Sequence, residues 1–227
     1  MASESHAASA LRRRPQLSDE VAATVRHKIM TAELLPGERV RLDATAAALG
    51  VSVTPVREAL LTLRGEGMVA FAPHRGYTVA DLTRTDVADL FWLQGEAAAR
   101  IARRTCAVIT TDEIGQLESA QARLGAAAAS GDVAAIVDAE FDFHRTHNHI
   151  AGSGKLAWIL QNATRYTPHQ LYAADAAWID NALTAHASLV SAYRSGDADA
   201  AAAAVRAQFD DGARRLIRHL ESTPIWD

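Results

Sequence analysis

The texture of this 227-residue chain changes near position 80, and that change constrains the fold more than any other feature. Before it, helix and strand signals alternate among most of the Pro-Gly punctuation. After it, alanine-rich segments follow one another at helical periodicity, parted by short breaks such as Ala129-Ser130-Gly131 and Ser195-Gly196. Two domains are therefore expected: a small α+β domain over residues 16–80 and an all-helical bundle over 84–222. Residues 1–15 read as a disordered tail. Charge divides at the same place. The first 80 residues carry 10 Lys and Arg against 8 Asp and Glu, the remainder 13 against 19. A mildly basic front and an acidic back suggest two tasks in one polypeptide.

Composition narrows the class. With 49% hydrophobic and 22% charged residues, the chain is neither intrinsically disordered nor fibrous. It has no apolar run of 18 residues, so no membrane span is expected. The first residues lack the apolar stretch of a secretory signal. Cys106 is the single cysteine and has no internal disulfide partner, as expected of a protein in the reducing cytoplasm.

In the front part, Val21, Val25, Ile29 and Met30 recur at helical spacing, with Ser18 or Asp19 placed to cap. A turn at Leu35-Pro36-Gly37-Glu38 leads to a short helix from Asp43 to Leu49, broken by Gly50. A second helix opens near Thr54-Pro55 and runs to Gly65 and Gly67. Met68 to Phe71 and Tyr77 to Val79 read as two strands joined by Ala72-Pro73-His74-Arg75-Gly76. That order is a winged helix-turn-helix: a short helix braces a second one that enters the major groove, while a basic hairpin tip lies along the backbone. Arg12-Arg13-Arg14 add a solvated tail or a non-specific phosphate arm.

The back part reads as seven helices. They begin at Thr85 or Asp86, at a Thr110-to-Glu113 capping box, at Asp132, and then cover about 154–165, 167–176, 181–194 and 197–221. Val87, Leu90, Phe91 and Leu93 form the expected inner face of the first. Three later helices carry polar residues on apolar stripes. Glu140 and His144 follow Val133 and Val137, His186 lies between Leu183 and Val190, and Gln208 lies between Val205 and Gly212. Burying such groups costs free energy unless something satisfies them, so a metal or a small polar ligand is expected at the bundle centre. The competing reading is four separately satisfied core residues. His147 and His149 are expected at the surface; Trp92, Trp158, Tyr166, Tyr172 and Trp178 are expected in the core or a cavity wall.

Two sets of residues carry a family resemblance. Leu35-Pro36-Gly37-Glu38-Arg39-Val40, Ala48-Leu49-Gly50-Val51-Ser52-Val53-Thr54-Pro55-Val56-Arg57-Glu58-Ala59-Leu60, Glu66-Gly67-Met68-Val69 and His74 to Val79 resemble the GntR family of bacterial transcription regulators over about residues 18–80. The resemblance makes Ser52, Val53, Thr54, Arg57, His74, Arg75 and Gly76 the candidate DNA contacts, with Val53 where relatives usually have arginine. Without that arginine, one bidentate guanine contact is lost. Arg57 has a second reading, as a brace for a nearby carboxylate. Glu140 to Arg145, Ala185-His186 and Gly196 to Ala201 resemble the FCD effector domain of the FadR-type branch, over about residues 84–221. Members often hold a divalent metal such as zinc or nickel through an aspartate and three histidines, with a carboxylate metabolite completing the site. Mapped by motif, those positions hold Glu140, His144, His186 and Gln208, while Gln94 replaces an arginine. Glu140, His144 and His186 are the candidate metal ligands. The amide of Gln208 is a poor one for soft-leaning metals.

The resemblance implies a cytoplasmic homodimer that binds a pseudo-palindromic double-stranded operator, more often as a repressor, and senses a small effector such as an organic acid. Two alternatives stand beside it: a metal-free acyl-ligand sensor of the same family, and a 2-His-1-carboxylate iron enzyme.

Overall fold

A computed structural model describes residues 17–226. The expectations for the tail and for Arg12 to Arg14 lie outside the described residues. The chain forms two compact units, one of residues up to Thr83 together with His219 onward, the other Arg84–Arg218. The last residues, read from sequence as part of the bundle, thus group with the first unit.

In the first unit, α1 covers residues 17–30, so Ser18 and Asp19 lie inside the helix instead of capping it. β1 (Arg39–Val40), α2 (Leu42–Leu49), α3 (Val53–Gly65), β2 (Val69–Ala72) and β3 (Gly76–Val79) follow. α3 begins earlier than the Thr54-Pro55 signal because Ser52 adopts the extended N-cap conformation. Pro55 then falls in the first turn, where its missing N–H costs no intrahelical bond. The α2 and α3 axes turn through 114° at Gly50, whose φ of 66° gives the left-handed C-cap. The apolar stripe of α3 (Val56, Ala59, Leu60, Leu63) is wholly buried, and Val21, Val25 and Met30 of α1 are buried as well. Arg26 of α1 makes a forked ion pair with Glu66, which pins α1 to the end of α3.

The sheet has order β1-β3-β2, antiparallel throughout, with Arg39 opposite Thr78 and Phe71 opposite Tyr77. β1 is absent from the sequence reading. It is two residues long, too short for alternation to register, and exists because the Gly37 turn returns the chain to the β3 edge.

The second unit is a bundle of α4 (Arg84–Cys106), α5 (Thr111–Ser130), α6 (Val133–Ile150), α7 (Gly154–Ala163), a 3-10 turn (Thr164–Tyr166), α8 (His169–Ala173), α9 (Ala176–Ser195) and α10 (Ala198–Glu221). Its core joins Ile101, Leu117, Phe143, Leu189, Val190 and Val205 with many alanines, whose small side chains let the helices approach closely. α9 starts five residues before its expected first position because Asp175 accepts the Ala177 N–H and caps it. On α4 the buried stripe is Val87, Phe91, Gln94 and Ala98. Leu93 is not inward but 44% exposed, and Trp92 lies outside at 62%, both off the 3.6-residue period. Among the described residues no helix is long and apolar enough to cross a membrane.

Candidate functional site

The first unit presents one polar face on α3 and the hairpin tip. Ser52 is exposed and its hydroxyl makes no capping bond, Thr54 is exposed, and Val53 between them is half-buried. Arg57 is exposed and, among the described residues, has no hydrogen-bond or ion-pair partner, so no carboxylate is braced by it. At the hairpin tip His74 and Arg75 are exposed; His74 and Gly76 both have positive φ, 65° and 76°. The Arg75 N–H donates to the Ala72 carbonyl and closes the turn that holds the cation outward.

The second unit brings Glu140, His144, His186 and Gln208 together from α6, α9 and α10. Glu140 Oε1 is the hub. His144 Nε2 lies 3.1 Å from it, Gln208 Nε2 donates to it at 3.1 Å, and His186 Nε2 is 3.6 Å away. Gln208 Nε2 also meets His186 Nε2 at 3.3 Å. The two imidazoles stand edge to face with ring centroids 5.3 Å apart, and His186 lies flat on Phe143 at 3.7 Å. Each side chain sits where the stripe pattern places it: Glu140 and His144 are one turn apart on α6, and the imidazoles satisfy one oxygen of the buried carboxylate.

Electrostatics sharpen this. Burial pushes the Glu140 carboxyl up, but His186 and His144 outweigh it and hold it below its ordinary range, ionised. Burial holds His186 below its ordinary range although the Glu140 carboxylate pulls it up, which favours the neutral ring that can ligate a metal. Glu140 Oε2 and His186 Nδ1 are buried without a hydrogen-bond partner among the described residues. Candidate donor atoms of Glu140, His144 and His186 all lie within 4.8 Å of one another. Bonds of about 2.0–2.2 Å to one ion would span such a set with small side-chain adjustments. Turning the Gln208 amide over would exchange its N–H for its carbonyl oxygen. The donor set fits a divalent ion.

Glu140, His144 and Gln208 line a cavity of about 1100 Å³ whose walls include Phe91, Phe141, Trp158, Tyr172, Trp178 and Phe209. His186 backs the cluster at 0% exposure and does not line the cavity. Gln94 is buried but held elsewhere: its amide donates to the Ala163 carbonyl and its oxygen accepts from Thr167. His147, expected at the surface, is buried and meets the Tyr193 hydroxyl at 2.5 Å, whereas His149 is exposed on the cavity rim. Trp158 lines the cavity while 63% exposed. His169 was not singled out by the sequence. It lines the cavity, meets the Thr164 carbonyl through Nε2 and packs on Phe141. It sits on a five-residue helix, too short to show a stripe.

A winged helix-turn-helix joined to a helical unit with a polar-floored cavity defines a DNA-binding transcription regulator. This chain belongs to the GntR family of bacterial regulatory proteins: residues 17–79 match the family described as "Bacterial regulatory proteins, gntR family", and residues 92–211 match the FCD domain. It is 26% identical to the HTH-type transcriptional regulator McbR of Escherichia coli over 122 residues, which cover 54% of this chain and 55% of McbR. An uncharacterized HTH-type regulator of Mycobacterium tuberculosis is 32% identical over 137 residues, 57% of this chain and 52% of the relative. The HTH-type transcriptional repressor RspR of Escherichia coli is 24% identical over 142 residues, 63% and 62% of the two chains. The chain spans about half the length of most of these curated relatives. The solved structure of Escherichia coli McbR/YncC aligns with a TM-score of 0.67 at 22% identity, over 90% of this chain and 98% of that one. Lar, described as controlling the Listeria monocytogenes agr system, aligns at 0.62 and 16% identity, over 88% and 96%. These neighbours share the fold. Family and relatives are regulators, not enzymes.

Proposed function

We propose that this regulator is a cytoplasmic homodimer that binds a pseudo-palindromic operator through residues 16–80, and that its bundle, residues 84–222, senses a small organic acid. A two-fold dimer imposes two-fold symmetry on its DNA site. Ser52, Thr54 and Arg57 read the major groove and His74, Arg75 and Gly76 hold the backbone. The observation that carries the sensor reading is the convergence of Glu140, His144 and His186, the first two on the cavity wall and His186 behind them, with Glu140 Oε2 and His186 Nδ1 unpartnered among the described residues. Those three side chains would hold a divalent metal such as zinc or nickel, with Gln208 turned to offer its oxygen as a weak fourth ligand. Once bound, the metal supplies a Lewis-acidic centre for a carboxylate oxygen. The aromatic walls take the apolar part of the effector, and His169, its Nε2 committed to Thr164, offers the cavity its other nitrogen. Repression is the favoured sign, as the name of RspR says of that relative.

The competing sensor reading is metal-free, and one observation favours it: Gln208 already bridges Glu140 and His186 by hydrogen bonds. Calorimetric titration of the chelator-treated full chain with zinc and nickel separates the two. One ion per chain, lost in His144→Ala, supports the metal; no binding makes the cavity a purely organic-ligand site. For DNA, fluorescence anisotropy on a selected operator should show Arg57→Ala weakening binding by ~1–3 kcal/mol, concentrated on the cognate sequence. Arg75→Ala should weaken all sequences more evenly and reduce the salt slope by about 1. No loss in either variant refutes the assigned surface.

A further inference from the structure

Leu61 is the large apolar side chain on α3 that the core does not use. Val56, Ala59, Leu60 and Leu63 are fully buried, yet Leu61 is 52% exposed. At 100° per residue, the buried residues centre on one side of α3 and Leu61 falls almost diametrically opposite. It stands two turns beyond Thr54 and one turn beyond Arg57, both exposed. The middle of the helix face that carries the polar groups is therefore occupied by a leucine.

A leucine there cannot bond a phosphate or a base edge. It gains free energy only by covering another apolar group, and the base edges of the major groove offer one, the C5-methyl of thymine. We propose that Leu61 is a specificity-determining residue that reads a thymine methyl in each operator half-site. The inference rests on α3 entering the major groove, as proposed above. It also bears on Val53: with no arginine at the head of α3, discrimination shifts from guanine edges toward an apolar contact further along the same helix.

The test uses the full chain. Site selection from a random duplex library should return a motif with a required thymine in each half-site. Replacing that thymine by deoxyuridine removes only the methyl. Wild-type affinity should then fall about fourfold per half-site, the equivalent of ~0.8 kcal/mol for one buried methyl-sized group. Leu61→Ala, which leaves no internal cavity, should bind both duplexes equally and select a motif relaxed at that position, with unchanged helicity. A selected motif at which no deoxyuridine replacement changes wild-type affinity overturns the inference and leaves the groove reading standing. An unchanged thymine requirement in Leu61→Ala overturns it as well. Failure to select any motif overturns both.

Discussion

At the scale of single residues, Gln208 and Gly212, four apart on α10, do opposite work. Gln208 stands where an imidazole would complete the donor set, and its amide donates to Glu140 Oε1 instead. Gln208→His should tighten zinc or nickel binding by at least tenfold in calorimetry, since neutral imidazole is the better ligand. An unchanged titration would show that the fourth position is irrelevant to the ion. At Gly212 two effects compete. Alanine gains about 1 kcal/mol over glycine in a helix interior. A Cβ there, however, would lie 2.8 Å from Cε1 of the buried Phe91 ring, and overpacking of this kind costs ~1–3 kcal/mol. Overpacking wins, so Gly212→Ala should lower the melting temperature and narrow the cavity that Phe91 lines. A stabilised variant would mean that the ring yields freely. The cluster was legible because Glu140, His144, His186 and Gln208 occupy interior stripe positions where polar groups are costly. His147, expected at the surface, is the counter-example, although the signal was present. It lies seven residues beyond Glu140, on the same stripe, and its burial follows from that spacing. The hydrogen bonds of Gln94 to Ala163 and Thr167 could not be read, because they depend on a turn sixty-nine residues away.

At the scale of elements, caps decided what the sequence could announce. The Thr110-Glu113 box forms in full: the Thr110 hydroxyl accepts the Glu113 N–H, and the Glu113 carboxylate accepts the Thr110 N–H at 2.8 Å. That signal lies within four residues, and α5 starts where it says. Asp132 likewise caps α6 by accepting from Ala134 and Ala135. Where the determinant is tertiary the reading failed: β1 needs its partner β3, and the segment 167–176 resolves into a five-residue helix after a 3-10 turn. Thr110→Ala should cost about 1 kcal/mol in chemical denaturation, the usual value of a lost N-cap. Because α5 packs against α6 and α9, the loss should appear in the unfolding of the bundle as a whole. A change confined to local fraying, seen by hydrogen exchange in the first turn of α5 alone, would show that the cap matters only locally.

At the scale of the molecule, the two units differ in the protons they keep out. The bundle buries His147 and His186 and holds His169 half-buried in its cavity wall, whereas the first unit buries no histidine among its described residues. Burial lowers the pKa of His147 to about 3 and that of His169 to about 4. Both are depressed in the folded state, so each is neutral there while the unfolded chain takes up a proton near pH 6.5. The unfolded state therefore binds more protons than the folded one between about pH 6.5 and 4, and stability is lost as pH falls through that window. Each such histidine contributes a slope of about 1.4 kcal/mol per pH unit in the limit, so these two together approach ~3 kcal/mol per unit around pH 5. In the presence of a chelator, which removes the pH dependence of any metal, denaturation of the full chain should show the bundle transition moving steeply to lower denaturant between pH 6.5 and 5. The first unit's transition should move far less, and two overlapping transitions at pH 7 should separate. With Trp226 of the first unit replaced by phenylalanine, intrinsic fluorescence reports the bundle, chiefly through Trp178, which is buried in the cavity wall. If the bundle's midpoint is flat across that window, His147 and His169 are protonated in the folded state, and neither can be the neutral, hydrogen-bonded ring that its burial requires.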